Sequence, residues 1–243
     1  MEVDLDVECS NCNATYSMTY DSDDITSDEH AFHCAYCGIL MEPAYYDEYY
    51  EEEWMVYSGM TWVAGIDYSL TSPAICVAEV LDNNIKFEDC RFHYIRQTKS
   101  QDTFKVFNAY EYPKYSSEIE RYIALADWTI EVIRWYNGRV KCVYLEDYAF
   151  AATGRVFNIA ENMGVLKCRL LKEKFKYVTI PPTVVKKHAT GKGNANKELM
   201  YDTFLAETEV DLKEELTPRS TSITNPVSDI VDAYYICRTG FYS

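Results

Sequence analysis

Apolar and polar positions alternate along residues 62–70, WVAGIDYSL, placing Val63, Gly65 and Asp67 on one side and Trp62, Ala64 and Ile66 on the other. A period of two predicts a β-strand. Two more apolar runs, PAICVAEV and IKFEDCRFHYI, are joined by the turn-forming LDNN and complete an expected antiparallel meander of three strands. The period then lengthens: Ile119, Ile123, Ala126, Ile130 and Ile133 predict one face of a helix over 116–136, stopped by Asn137-Gly138. VKCVYLEDY reads as a fourth strand, parallel to the first because a helix intervenes. Val156, Ile159, Ala160, Met163 and Leu166 predict a second amphipathic helix over 155–172, KYVTI a short fifth strand, and residues 195–208 a third helix. This order predicts an α/β fold with a mixed five-stranded sheet flanked by helices.

The last element, NPVSDIVDAYYI at 225–236, is apolar on nearly every side, with Asn225 and Pro226 suited to the N-cap and first helical position. A helix of that kind is buried. It nevertheless carries Asp229 and Asp232, three positions apart. Asp229 falls in the first turn, where the helix dipole favours an acid, so a helix-start role competes with a ligand role. Asp232 has no such local reason, and a buried carboxylate must meet a cationic side chain or a metal.

Charge separates the front of the chain from its body. Residues 1–60 hold 15 of the 39 Asp and Glu and none of the 23 Lys and Arg, whereas the remainder is close to neutral. Within the body, residues 165–200 carry nine Lys or Arg against two Glu, a segment able to meet phosphates. No run approaches the ~18 consecutive apolar residues of a membrane span, and the acidic start does not resemble a secretory signal. The expected location is the cytoplasm, that of a host if the source is viral.

Cys9-x2-Cys12 and Cys34-x2-Cys37 have zinc-ribbon spacing, and four thiolates would hold a structural Zn²⁺ with no open position. His30 and His33, beside the second pair, are alternative ligands. Cys76, Cys90, Cys142, Cys168 and Cys237 lie in apolar runs and read as core residues. The expected domains are a zinc ribbon at 1–41, an acidic aromatic linker or helix at 42–60, and the main domain at 61–243. The acidic front could serve a protein partner, mimic DNA, or be a solvated face.

Asp67 and Glu146 lie near the ends of the first and fourth strands. If those strands are parallel neighbours and the last helix packs over their edge, up to four carboxylates converge, a self-repelling set unless hard cations such as Mg²⁺ lie between them. GIDYSL, YLEDYAF, VVKKHATGKGNANKE and NPVSDIVDAYYI, in that order, resemble the RuvC family of Holliday-junction resolvases within the RNase H-like fold. The resemblance implies Asp67, Glu146, Asp229 and Asp232 as catalytic ligands of two Mg²⁺ ions, with Mn²⁺ able to replace them. Asp67 would bridge the ions, and Asp229 stands where the family has Asp or His. Lys186 and Lys197 resemble the family's lysine pair near the scissile backbone; Lys187 and Lys192 would add phosphate contacts, and a solvated lysine loop is the competing reading. Tyr148 and Phe150 could stack on unpaired bases or pack in the core. The resemblance further implies a homodimer, associating through the helix at 155–172, that nicks opposed strands of a four-way DNA junction. The N-terminal ribbon departs from the common bacterial form and looks more like phage-type relatives. Two other readings remain: a ribonuclease of the RNase H type acting on RNA–DNA hybrids, and a non-catalytic zinc-ribbon adaptor.

Overall fold

In the computed structural model the chain forms two compact units, Met1–Ser58 and Gly59–Ser243. The described residues are 61–96, 106–136, 139–148 and 156–243, with the backbone of strands at 2–8, 15–21, 32–33, 40–41 and 103–104. In the first unit β1 (Glu2–Glu8) pairs antiparallel with β2 (Thr15–Asp21), and β3 (Phe32–His33) with β4 (Leu40–Met41). The four ribbon cysteines, His30 and the expected linker lie outside the described residues, as does Phe150.

The second unit is built on β5 (Thr61–Asp67), β6 (Ala74–Val80) and β7 (Cys90–Arg96), the expected antiparallel meander. The chain continues through β8 (Thr103–Phe104), β9 (Phe107–Glu111), α1 (Glu118–Arg134), β10 (Val140–Glu146), α2 (Val156–Lys172) and β11 (Tyr177–Ile180). Four helices follow: α3 (Pro182–Thr190), α4 (Lys197–Thr208), α5 (Leu212–Leu216) and α6 (Val227–Tyr242). Among the described residues the sheet runs β11-β10-β5-β6-β7-β9-β8. All five expected strands are present, and β8 and β9 extend the sheet at its far edge. The alternation Phe107-Asn108-Ala109 carries β9, burying Phe107 and Ala109.

The alternation along β5 separates two cores. Trp62, Ala64 and Ile66 face α1 and α2, packing with Leu125, Ile133 and Leu166, whereas Val63 faces the opposite layer with Val185, Phe204, Ile230 and Tyr234. On α1 the buried stripe is Tyr122, Leu125, Ala126, Thr129, Ile130 and Ile133. Ile119 and Ile123, expected on that face, are exposed. The helix is rotated toward α2, where Asn158 Nδ2 donates to the buried Tyr122 hydroxyl at 2.8 Å. The first half of α2 also departs from expectation, with Ile159 and Ala160 exposed, and Phe157 beside them is exposed too. Of the five body cysteines, Cys76, Cys90 and Cys237 are buried, Cys142 is half-buried and Cys168 is exposed, because α2 buries only one side.

Gly65 sets how closely α6 lies on the sheet. A Cβ there would stand 2.2 Å from the Cys237 backbone nitrogen, and one on Gly240 would stand 2.2 Å from the Tyr144 ring on β10. Helix and strands touch through glycine on each side. Gly65→Ala must therefore push the α6 backbone away, an overpacking cost of about 1–3 kcal/mol. A urea midpoint equal to that of the wild type would show that the contact is slack.

Candidate active site

The register of β5 and β10 brings the first two acids side by side. Ile66 pairs with Leu145 in parallel, so Asp67 and Glu146, one residue on, end neighbouring strands. Alternation places both on the face that α6 covers, since Val63 and Tyr144 occupy that core.

α6 supplies the other two. From its contact with Gly65 at Cys237, five residues back to Asp232 is about 7.5 Å along a helix, and two residues forward from Gly65 to Asp67 is about 6.6 Å along a strand. The start of α6 thus stands over the end of β5. Its N-cap is Pro226, one residue later than expected, because Asn225 is engaged elsewhere. The Asn225 side chain donates to Ser72 Oγ and accepts from Ser228 Oγ at 3.0 Å. Asp229 is buried and accepts from Ser72 Oγ at 2.6 Å, and Ser228 Oγ lies 3.3 Å from its other oxygen. It is therefore more than a helix-start acid.

The charges of two lysines act on the acids. Lys186 lies on α3, which starts just after Ile180, the residue that pairs with Glu146 on β10. Its charge favours the ionised forms of Glu146 and Asp232. Lys197 opens α4 after the Asn196 cap, and its Nζ donates to Ser228 Oγ at 3.2 Å. It favours ionisation of Asp67, Asp229 and Asp232. Lys186 and Lys187 stand on a helix begun by Pro182 and ended by Gly191 at φ +77°, where a loop was the alternative expectation. Lys187 and Lys192 are exposed.

Burial is the largest influence on every acid, and mutual repulsion adds to it. The Asp67 carboxyl is pushed well above its usual range by burial, then by the charges of Asp232, Asp229 and Glu146. Burial followed by Asp232 raises Glu146 to about 7. Asp229 and Asp232 are raised by burial to about 6, against the opposing pull of their hydrogen-bond donors and lysines. Four carboxylates with two lysines leave an excess of negative charge, and the donors are all hard oxygens, which suits Mg²⁺ or Mn²⁺. Among the described residues no three His, Cys, Asp or Glu side chains are already gathered at ligating distance. The acids act on one another electrostatically without forming a closed cage.

Tyr148 follows β10 and is 36% exposed, so it is not a core residue. Its hydroxyl donates to the Ala160 carbonyl at 3.5 Å, and Lys167 Nζ lies 5.1 Å from its ring centroid. Ser72, Asn225 and Ser228 are site residues that the motif reading did not assign; only Ser228, next to Asp229 in the chain, offered a signal.

Compared by sequence, the chain matches no family model and no curated protein. Compared by structure, it superimposes on RuvC from Thermus thermophilus with a TM-score of 0.51 at 18% identity, covering 75% of this chain and 95% of that one. The fold is that of RuvC. It is α/β, as the order of elements implied, and RNase H-like, as the resemblance implied. The yeast mitochondrial Holliday junction resolvase Ydc2 aligns over 75% of this chain and 78% of its own at 8% identity, TM-score 0.48. The fowlpox virus Holliday junction resolvase aligns over 75% and 98% at 13% identity, TM-score 0.42. No helix among the described residues is long and apolar enough to cross a membrane.

Proposed function

We propose that the chain is a divalent-metal-dependent endonuclease that resolves four-way DNA junctions by phosphodiester hydrolysis. The observation that carries this reading is the meeting of Asp67, Glu146, Asp229 and Asp232 with Lys186 and Lys197 at one end of a RuvC-type sheet. Thermus thermophilus RuvC has been seen in complex with a Holliday junction substrate, which supports the same substrate class here.

Asp67, Glu146, Asp229 and Asp232 would hold two Mg²⁺ or Mn²⁺ ions. Bound there, such ions lower the pKa of water and neutralise charge on the scissile phosphate and leaving oxygen. The chain's own residues do the rest. Asp67, the acid acted on by all three others, would serve both ions. Lys186 and Lys197 offset anionic charge where a phosphate would approach, and exposed Lys187 and Lys192 extend the basic surface. Tyr148 presents part of a ring next to Glu146, able to stack on an unpaired base, and Phe150 would join it.

A homodimer would give two such sites for opposed strands. Exposed Phe157 and Ile159 on α2 support self-association through that helix, which light scattering at assay concentration would test. A structural Zn²⁺ on Cys9, Cys12, Cys34 and Cys37 and a protein partner for the acidic front complete the reading; the metal content of the purified protein tests the first.

The deciding experiment sets a four-way DNA junction beside an RNA–DNA hybrid with Mg²⁺. Paired nicks in the junction are expected, and preferential cleavage of the hybrid would transfer the activity to the RNase H class. Lys197→Ala should weaken junction binding and reduce the slope of log affinity against log salt by about one contact. An unchanged slope would remove Lys197 from the phosphate path.

A further inference from the structure

Ser72 lies in the turn between β5 and β6, five residues after Asp67 and 157 positions before Asp229, whose Oδ2 accepts its hydroxyl proton at 2.6 Å. Both residues are buried, Ser72 at 7% exposure and Asp229 at 5%. Asn225 Nδ2 donates to Ser72 Oγ, which leaves the serine's single proton for the carboxylate. Ser228 Oγ is 3.0 Å from Asn225 Oδ1 and 3.3 Å from Asp229 Oδ1, and accepts from Lys197 Nζ at 3.2 Å. With only one proton, Ser228 serves the nearer Asn225 oxygen first. Asp229 Oδ2 is therefore firmly tied, and Oδ1 is the oxygen with capacity to spare.

The turn that carries Ser72 is itself held. The buried Arg121 of α1 donates to the Leu70 carbonyl at 2.6 Å, and the Tyr112 hydroxyl donates to the same oxygen. Arg121 Nε also donates to the Tyr112 hydroxyl at 2.8 Å. Ser72 N donates to Ser69 Oγ at 3.0 Å. A rigid turn thus leads from the strand acid Asp67 to the helix acid Asp229.

We infer that Ser72, held by Asn225 and by the Arg121-anchored turn, is a positioning residue that orients Asp229 for a divalent cation. The inference rests on the proposed four-carboxylate site. A donor lost from behind a ligating carboxylate characteristically lowers metal affinity by about 10–100-fold.

The test measures Mn²⁺ binding to the full-length, DNA-free protein by calorimetry, and junction nicking as a function of Mg²⁺. Ser72→Ala is expected to raise the Mn²⁺ dissociation constant by about 10-fold and to recover most of its nicking rate at high Mg²⁺. Ser72→Thr keeps the hydroxyl and should stay within about 3-fold of the wild type. A Ser72→Ala protein with wild-type Mn²⁺ affinity overturns the inference. Should that variant not fold, Asn225→Ala decides, because it removes the amide that holds Ser72 Oγ against Asp229 Oδ2; wild-type affinity there overturns the inference equally. A wild type that binds Mn²⁺ yet nicks no junction would defeat the proposed substrate while the Mn²⁺ comparison still judges Ser72. Wild-type nicking with an unaltered Ser72→Ala would do the reverse.

Discussion

Asp67→Asn is expected to reduce Mg²⁺-dependent junction nicking by about 1000-fold or more while leaving junction binding intact, a barrier increase of roughly 4 kcal/mol. The side chain changes little in size and remains able to hydrogen-bond, so the fold has no reason to yield. What it loses is the charge that Asp232, Asp229 and Glu146 all act on. Without that charge the remaining acids cannot draw two cations to one phosphate, and stabilisation of the leaving oxygen goes with them. Binding should hold or tighten, because one fewer anion faces the DNA backbone. The metal-free variant should also be no less stable than the wild type, since a desolvated and repelled carboxylate has been removed. Band-shift and single-turnover nicking assays on the same preparation separate the two effects. Nicking at the wild-type rate would mean that these acids do not perform the chemistry, and would favour the non-catalytic adaptor.

The elements that build this site were legible where chain pattern alone determines them. Alternation in WVAGIDYSL foretold which core each side of β5 would enter, and the intervening helix foretold the parallel pairing of β5 with β10. α3 was missed although Pro182 and Gly191 delimit it, because its buried face reduces to Val185. β9 was missed because its apolar alternation spans five residues next to polar segments. On α1, spacing showed that a helix exists but misassigned its buried side. Ile119 and Ile123 are as apolar as their buried neighbours, and only the position of α2 decides which are covered. Ser72 was illegible for a related reason: a serine in a turn acquires its role from a carboxylate 157 positions away. Motifs indicate the charged residues of a pocket, whereas their neutral hydrogen-bond partners emerge only with the fold.

Metal-free protein is expected to lose stability as pH rises from about 4.5 to about 7.5, contrary to the usual behaviour of paired carboxylates. The sign follows from the direction of the shifts. Glu146 is raised from 4.5 to about 7, Asp229 and Asp232 from 3.8 to about 6, and Asp67 upward as well. Between the ordinary and the raised values the native state binds more protons than the unfolded chain, so each added pH unit favours unfolding. Glu146 alone corresponds to a loss on the order of 3 kcal/mol across that window, and the four acids, being mutually coupled, do not simply add. Urea unfolding in a chelator at pH 5 and pH 7.5 measures the difference. The acidic first unit contributes self-repulsion of its own, so Glu146→Gln in the same chain isolates the pocket, and its decline with pH should be shallower than that of the wild type. Mg²⁺ or Mn²⁺ reverses the effect by binding the deprotonated acids of the native state, adding about 2.7 kcal/mol at 100 times the dissociation constant. Because cations and protons compete for the same oxygens, metal affinity should climb through pH 6–7. If metal-free stability were flat or rose over this range, and Glu146→Gln behaved as the wild type does, the carboxylates would not share one pocket, and the nuclease reading would lose its physical basis.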